Sequence, residues 1–104
     1  MSSATILNFY ESLGFEETEI EDELTTLGLE ITPEGHYALI TDSDGAMPEN
    51  LKQEVIFAYY TPDGAFLWSA SFKSSYIFKD IWTEAPTPEA KLDAILKYRA
   101  SNEL

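Results

Sequence analysis

Nucleophilic catalysis needs a base beside a hydroxyl or thiol, and this sequence has one histidine, His36, and no cysteine. No serine lies in a Gly-x-Ser-x-Gly turn. Without cysteine there is no thiol nucleophile, no disulfide and no thiolate metal site. His36 follows Pro33-Glu34-Gly35, a turn signal, which places it at a strand start, exposed or half-buried. Asp42-Ser43-Asp44-Gly45 has the flavour of a calcium loop but fails its spacing. Glycine stands fourth rather than sixth, Ala46 fills the fifth position and Gln53 the twelfth. An Asx-type turn accounts for these residues more simply. Nineteen acids offer many carboxylate pairs without singling one out. There is no Gly-x-Gly-x-x-Gly, no Walker loop and no Cys/His metal spacing. The sequence therefore assigns no catalytic residue, no metal ligand and no cofactor.

The most distinctive chemistry is acidic. The run Glu16-Glu17-Thr18-Glu19-Ile20-Glu21-Asp22-Glu23 contains six carboxylates in eight residues. Residues 1–51 hold twelve acids and no Lys or Arg, whereas all six basic residues lie at Lys52 or beyond, against seven acids. The two parts thus carry −12 and −1 of the −13 total. Such asymmetry suits a basic partner and disfavours direct binding of nucleic acid or an anionic membrane, both of which want positive patches. A solubilising acidic surface is the plainer explanation.

The elements that must position these groups follow from capping and periodicity. Ser2 or Ser3 caps a first helix to about Leu13, with Ile6, Leu7, Tyr10 and Leu13 on one buried stripe and Gly14 just past its end. Thr18 and Glu21 have capping-box spacing, and Ile20, Leu24 and Leu27 recur helically up to Gly28. This predicts a second helix and an N-terminal αα-hairpin. On that helix the Glu17/Glu21 and Glu19/Glu23 pairs form a row at a pitch of about 6 Å. Leu29–Thr32 and His36–Thr41 read as strands flanking a turn. Val55–Tyr60, the turn Thr61-Pro62-Asp63-Gly64, the alternating Phe66–Phe72 and the segment Tyr76–Trp82 read as an antiparallel meander over 53–82. Thr87-Pro88-Glu89 opens a last helix, packed on the sheet through Leu92, Ile95 and Leu96. The class is α+β, with about five antiparallel strands in one domain spanning 1–104.

The functional expectation is a non-enzymatic acidic protein that binds a basic surface of another protein. An inhibitor or nucleic-acid mimic directed at a nucleic-acid-processing machine, such as an immunity protein or a phage-type antagonist, fits the profile. Glu16, Glu17, Glu19, Glu21, Asp22 and Glu23 carry the electrostatics and Tyr10 adds contact area. Two alternatives stand beside it. One is a small-ligand module with a cleft lined by Trp68, Tyr76 and Trp82. The other is a chaperone-like or structural subunit forming a homodimer through the sheet. The N-terminus lacks the basic and apolar regions of a secretory signal, no apolar run is long enough for a membrane span, and the absence of cysteine suits the cytoplasm.

Overall fold

The computed structural model describes residues 2–21 and 24–102. It runs α1 (Ser2–Glu11), β1 (Glu16–Glu21), β2 (Leu24–Glu30), β3 (Tyr37–Thr41), β4 (Val55–Tyr60), β5 (Phe66–Phe72), α2 (Ser75–Glu84), α3 (Pro88–Asn102). Helix α1 ends as its glycine foretells. Gly14 takes φ +102°, its N–H donates to Glu11 O at 3.0 Å, and Phe15 N–H donates to Tyr10 O at 2.9 Å. This is the Schellman bond pair, and the Phe15 ring packs edge-on against Tyr10 at 5.7 Å as its apolar clasp.

The second helix of the expected αα-hairpin does not form, because Glu16–Glu21 and Leu24–Glu30 are paired antiparallel strands. A helix here would align like charges four residues apart, whereas a strand sends neighbouring carboxylates to opposite faces. Thr25 and Thr26 are β-branched and favour the strand as well. Gly28 is not a helix stop. It lies mid-strand, where an added Cβ would fall 2.6 Å from Thr18 Oγ1 and 3.3 Å from a Leu39 methyl carbon. Only glycine admits so close a neighbour.

All five strands form one antiparallel sheet in the order β1-β2-β3-β4-β5. The register gives the sheet two unlike faces. Leu27, Ile40, Phe57 and Ala70 share one, together with Ala38, Tyr59, Val55 and Phe72. The ring contacts from helix to sheet fall on this face, through Phe78, Trp82 and Tyr98. Phe78 is the hub, with the rings of Tyr10, Phe15, Phe57, Phe72 and Trp82 all within 6 Å of its centroid. The opposite face carries Gly28, Leu39, Ala58 and Ser69 in one row and Glu30, Tyr37, Tyr60 and Phe66 in the next.

The expected strand Tyr76–Trp82 is instead the middle of α2. Ser74, in extended conformation, caps it by accepting the Ile77 N–H at 3.3 Å, and Ser75, Phe78 and Trp82 form the buried stripe. Ala85, extended before Pro86, ends it. The strand count still comes to five because β1 replaces this segment. The Thr87 cap of α3 is present, its Oγ1 accepting from Ala90 N–H at 3.1 Å. Helix α3 lies mainly along α2 and reaches the sheet at β5, where Tyr98 stacks on Phe72 at 4.9 Å. Lys91 joins the two helices. Its ammonium donates to the carbonyls of Trp82 and Ala85, each at 2.6 Å, satisfying the open end of α2. Among the described residues no helix is long and apolar enough to cross a membrane.

Candidate functional site

The strands bear five charged residues, Glu16, Glu17, Glu19, Glu21 and Glu30, and no Lys or Arg. Four of the six cations lie on helices, as Lys79, Lys91, Lys97 and Arg99. The sheet is therefore uniformly anionic at its β1–β2 side. Strand β1 is an edge strand with one side of its backbone unpaired. Glu16, Glu17 and Glu19 are exposed along it. Glu17 lies opposite Leu27 and accepts from Thr25 Oγ1 at 3.4 Å, so Glu17 and Glu19 rise on the helix side beyond the helices' cover. Glu16 is paired with Gly28 and belongs to the other face. Glu21 closes the strand opposite Leu24, and Asp22 and Glu23 lie outside the described residues. The helical row of carboxylates at four-residue spacing does not exist in this geometry. Its acids are divided between two faces, with same-face neighbours about 7 Å apart. None of Glu16, Glu17 and Glu19 is ion-paired among the described residues, where Lys97–Asp93, 3.1 Å apart on α3, is a salt bridge between surface neighbours.

Tyr10, read both as part of a buried helical stripe and as a partner contact, is fully buried, as the stripe requires and the contact role does not allow. It lies four residues after the buried Ile6 on the inward stripe of α1, and its hydroxyl meets Ser75 Oγ at 2.6 Å. Burial pushes its pKa up to about 12, and the Ser75 hydrogen bond opposes that only in part. It is unavailable as a contact residue.

Trp68, Tyr76 and Trp82 do not line one cleft. Trp68 is half-buried on the helix-side face between Phe57 and Tyr59, at 5.7 and 5.4 Å. Tyr76 stands 46% exposed on α2, edge-on to Phe9. Trp82 is buried, its indole N–H donating to Leu13 O at 3.1 Å and its ring 5.1 Å beneath the Lys91 ammonium. Trp82 does border a separate cavity of about 260 Å3 with Leu13, Leu29, Ile31, Pro88 and Lys91. Burial lowers the Lys91 pKa.

A different aromatic set emerges on the helix-free face. Tyr37 stacks on Tyr60 at 5.2 Å, and Tyr60 meets Phe66 edge-on at 5.9 Å, with Phe66 59% exposed. The two Thr-Pro-acid-Gly turns, at 32–35 and 61–64, hold this trio at one end of the sheet. An added Gly35 Cβ would touch Pro62 at 3.4 Å, so the turns pack side by side. The repeated turn was visible in the sequence and could have aligned Tyr37 with Tyr60. The packing of one turn on the other could not be read there.

His36 is half-buried immediately before β3, close to the strand start that its place after the turn implied. Its Nδ1 lies 3.0 Å from Thr32 Oγ1, and its ring stacks on Tyr59. Asp42 forms the expected Asx turn, its Oδ1 accepting from the N–H groups of Asp44 and Ala46 at 2.8 and 3.0 Å. Compared with protein-family models, curated proteins and solved structures, the chain matches none.

Proposed function

We propose that this protein is a non-enzymatic binding module whose target is a basic surface on another protein. The observation that carries this reading is the one-signed sheet: five glutamates on β1 and β2, no cation on any strand, and a helix-free face ending in Tyr37, Tyr60 and Phe66. Exposed aromatic rings supply contact area at little entropic cost, and carboxylates at the rim steer a cationic partner and set its orientation. An antagonist of a nucleic-acid-processing machine is a natural occupant of this role, because such machines present Lys/Arg tracks for phosphate. The support for that narrower reading is charge. The strand geometry replaces the continuous helical row with two shorter sets of carboxylates. The cysteine-free composition suits a partner met in the cytoplasm.

The test uses immobilised wild type beside two variants, Glu16/Glu17/Glu19→Gln and Tyr60/Phe66→Ser, against host lysate with elution in a salt gradient. Capture of one basic protein by wild type, its release by salt and its loss with the glutamine variant support the reading. Equal capture by wild type and the glutamine variant refutes it. Loss with the serine variant alone transfers the binding role to the aromatic end.

A further inference from the structure

The two edges of the sheet are built oppositely. Strand β1 bears glutamates along its length, the usual defence of an open edge. Strand β5, Phe-Leu-Trp-Ser-Ala-Ser-Phe, has no charge, no proline and no glycine. Beyond its ladder with β4, no hydrogen bond engages its backbone among the described residues. Phe66 and Leu67 are exposed at its start and Ser71 near its end. An uncharged, unpaired edge is a template for another strand. We propose that it pairs with the β5 of a second copy, forming a two-fold dimer with one continuous ten-stranded sheet.

Charge selects a second copy through this edge and no other. A chain of formal charge −13 repels itself, and most of that charge lies before residue 52. Pairing at β1 would bring the glutamate rows of two copies together. Pairing at β5 sends them to the far ends, because β1 and β5 are the outermost strands. Nine inter-strand spacings of about 4.8 Å then separate the acidic edges by about 43 Å along the sheet. That is several times the Debye length of about 10 Å at about 0.1 M salt.

The register also follows. The ladder between β4 and β5 shifts between Tyr59 and Tyr60, leaving Leu67 as the extra residue of a bulge. Regular strand remains from Trp68 to Phe72, whose centre is Ala70. A two-fold axis at Ala70 sets Trp68 opposite the partner's Phe72 on the helix side. It sets Ser69 opposite the partner's Ser71 on the helix-free face. Aromatic pairs and hydroxyl pairs are both favourable across antiparallel strands.

Sedimentation equilibrium from micromolar to near-millimolar protein tests this, with twice the 11.7 kDa chain mass expected at the upper end. Above about 0.1 M salt the association should change little, since the acidic edges are already beyond screening range. Ser69/Ser71→Lys places lysine opposite lysine across the axis and should give a folded monomer, its fold checked by circular dichroism. Ser69→Glu with Ser71→Lys places opposite charges there and should restore the dimer. A monomer mass throughout the range overturns the proposal. So does dimerisation unaffected by the double-lysine change, or a dimer that strengthens steeply with salt, the mark of pairing through β1.

Discussion

Replacing Gly28 with alanine separates the strand from the helix that the local sequence suggests, because the two assign opposite signs to the change. In a helix interior, Gly→Ala would stabilise by about 1 kcal/mol. In the structure, Gly28 faces Gly-sized space: a new Cβ would lie 2.6 Å from Thr18 Oγ1, 3.1 Å from Thr18 Cβ and 3.3 Å from a Leu39 methyl carbon. Threonine is β-branched, so rotating it away from the contact brings its methyl group or costs an unfavourable rotamer. Overpacking of this kind costs about 1–3 kcal/mol. The smaller entropy of the unfolded alanine chain returns about 0.4–1 kcal/mol. The net expectation is a loss of about 1–2 kcal/mol, a fall in Tm of about 4–10 °C for a domain of this size. Thermal and urea unfolding followed by circular dichroism measure it. Thr18→Ala in the same chain removes the nearest atom, and a double-mutant cycle should show favourable coupling of about 1 kcal/mol. A Gly28→Ala protein that melts higher than wild type, or a cycle with no coupling, would refute the packing of β1 on β2.

Three further outcomes follow from other contacts. Lys91→Met keeps much of the stem but strands the carbonyls of Trp82 and Ala85, so denaturant unfolding should show a loss of about 1–3 kcal/mol. Ser74→Ala removes the α2 cap and should cost about 1 kcal/mol, with native-state hydrogen exchange quickening first at Ile77. Tyr10 binds its proton more tightly folded, with a pKa of about 12, than unfolded at 10.0, so the folded state holds more protons between those values. Stability is therefore retained below pH 10 and falls as pH rises toward 12, by roughly 1.4 kcal/mol per unit at most. Tyr10→Phe should flatten that slope, the remainder coming from Tyr59 and Tyr60, whose pKa values burial also raises. A slope unchanged in the variant would assign it wholly to other groups.

Much of the architecture was legible where local signals agreed with the fold. Gly14 marked the end of α1, the two Thr-Pro-acid-Gly turns bracketed β3 and β4, the second leading into β5, and Thr87-Pro88 opened α3. The failures lie where short segments satisfy two periods at once. Ile20, Leu24 and Leu27 have helical spacing, yet Leu27 and Leu29 also alternate, and β1 shows little apolar alternation because it is a wet edge. Tyr76, Phe78 and Trp82 alternate like a strand, but burial uses Ser75, Phe78 and Trp82, a helical stripe. The acidity of the candidate surface was legible as charge and composition, and Glu16, Glu17 and Glu19 are exposed. The burial of Tyr10 was legible in the helical stripe it shares with Ile6, and that burial is what rules out its reading as a contact residue. The trio Tyr37, Tyr60 and Phe66 depended on cross-strand register, which a single sequence leaves open.

The strand order carries a consequence for how the chain assembles. In β1-β2-β3-β4-β5 every strand pairs with its neighbour in sequence across connections of at most 13 residues (42–54), so each pairing closes at modest entropic cost. The ends of the fold meet differently. Tyr10 reaches Ser75 across 65 residues and Trp82 reaches Leu13 across 69. Those two hydrogen bonds can form only after the meander has brought the helices within reach. Folding should accordingly be fast, with the sheet ordered in the transition state and the α1–α2 latch closing afterwards. Substitutions in the latch then accelerate unfolding while leaving the folding rate nearly unchanged. The same two contacts therefore set how long a folded molecule lasts more than how quickly it is made.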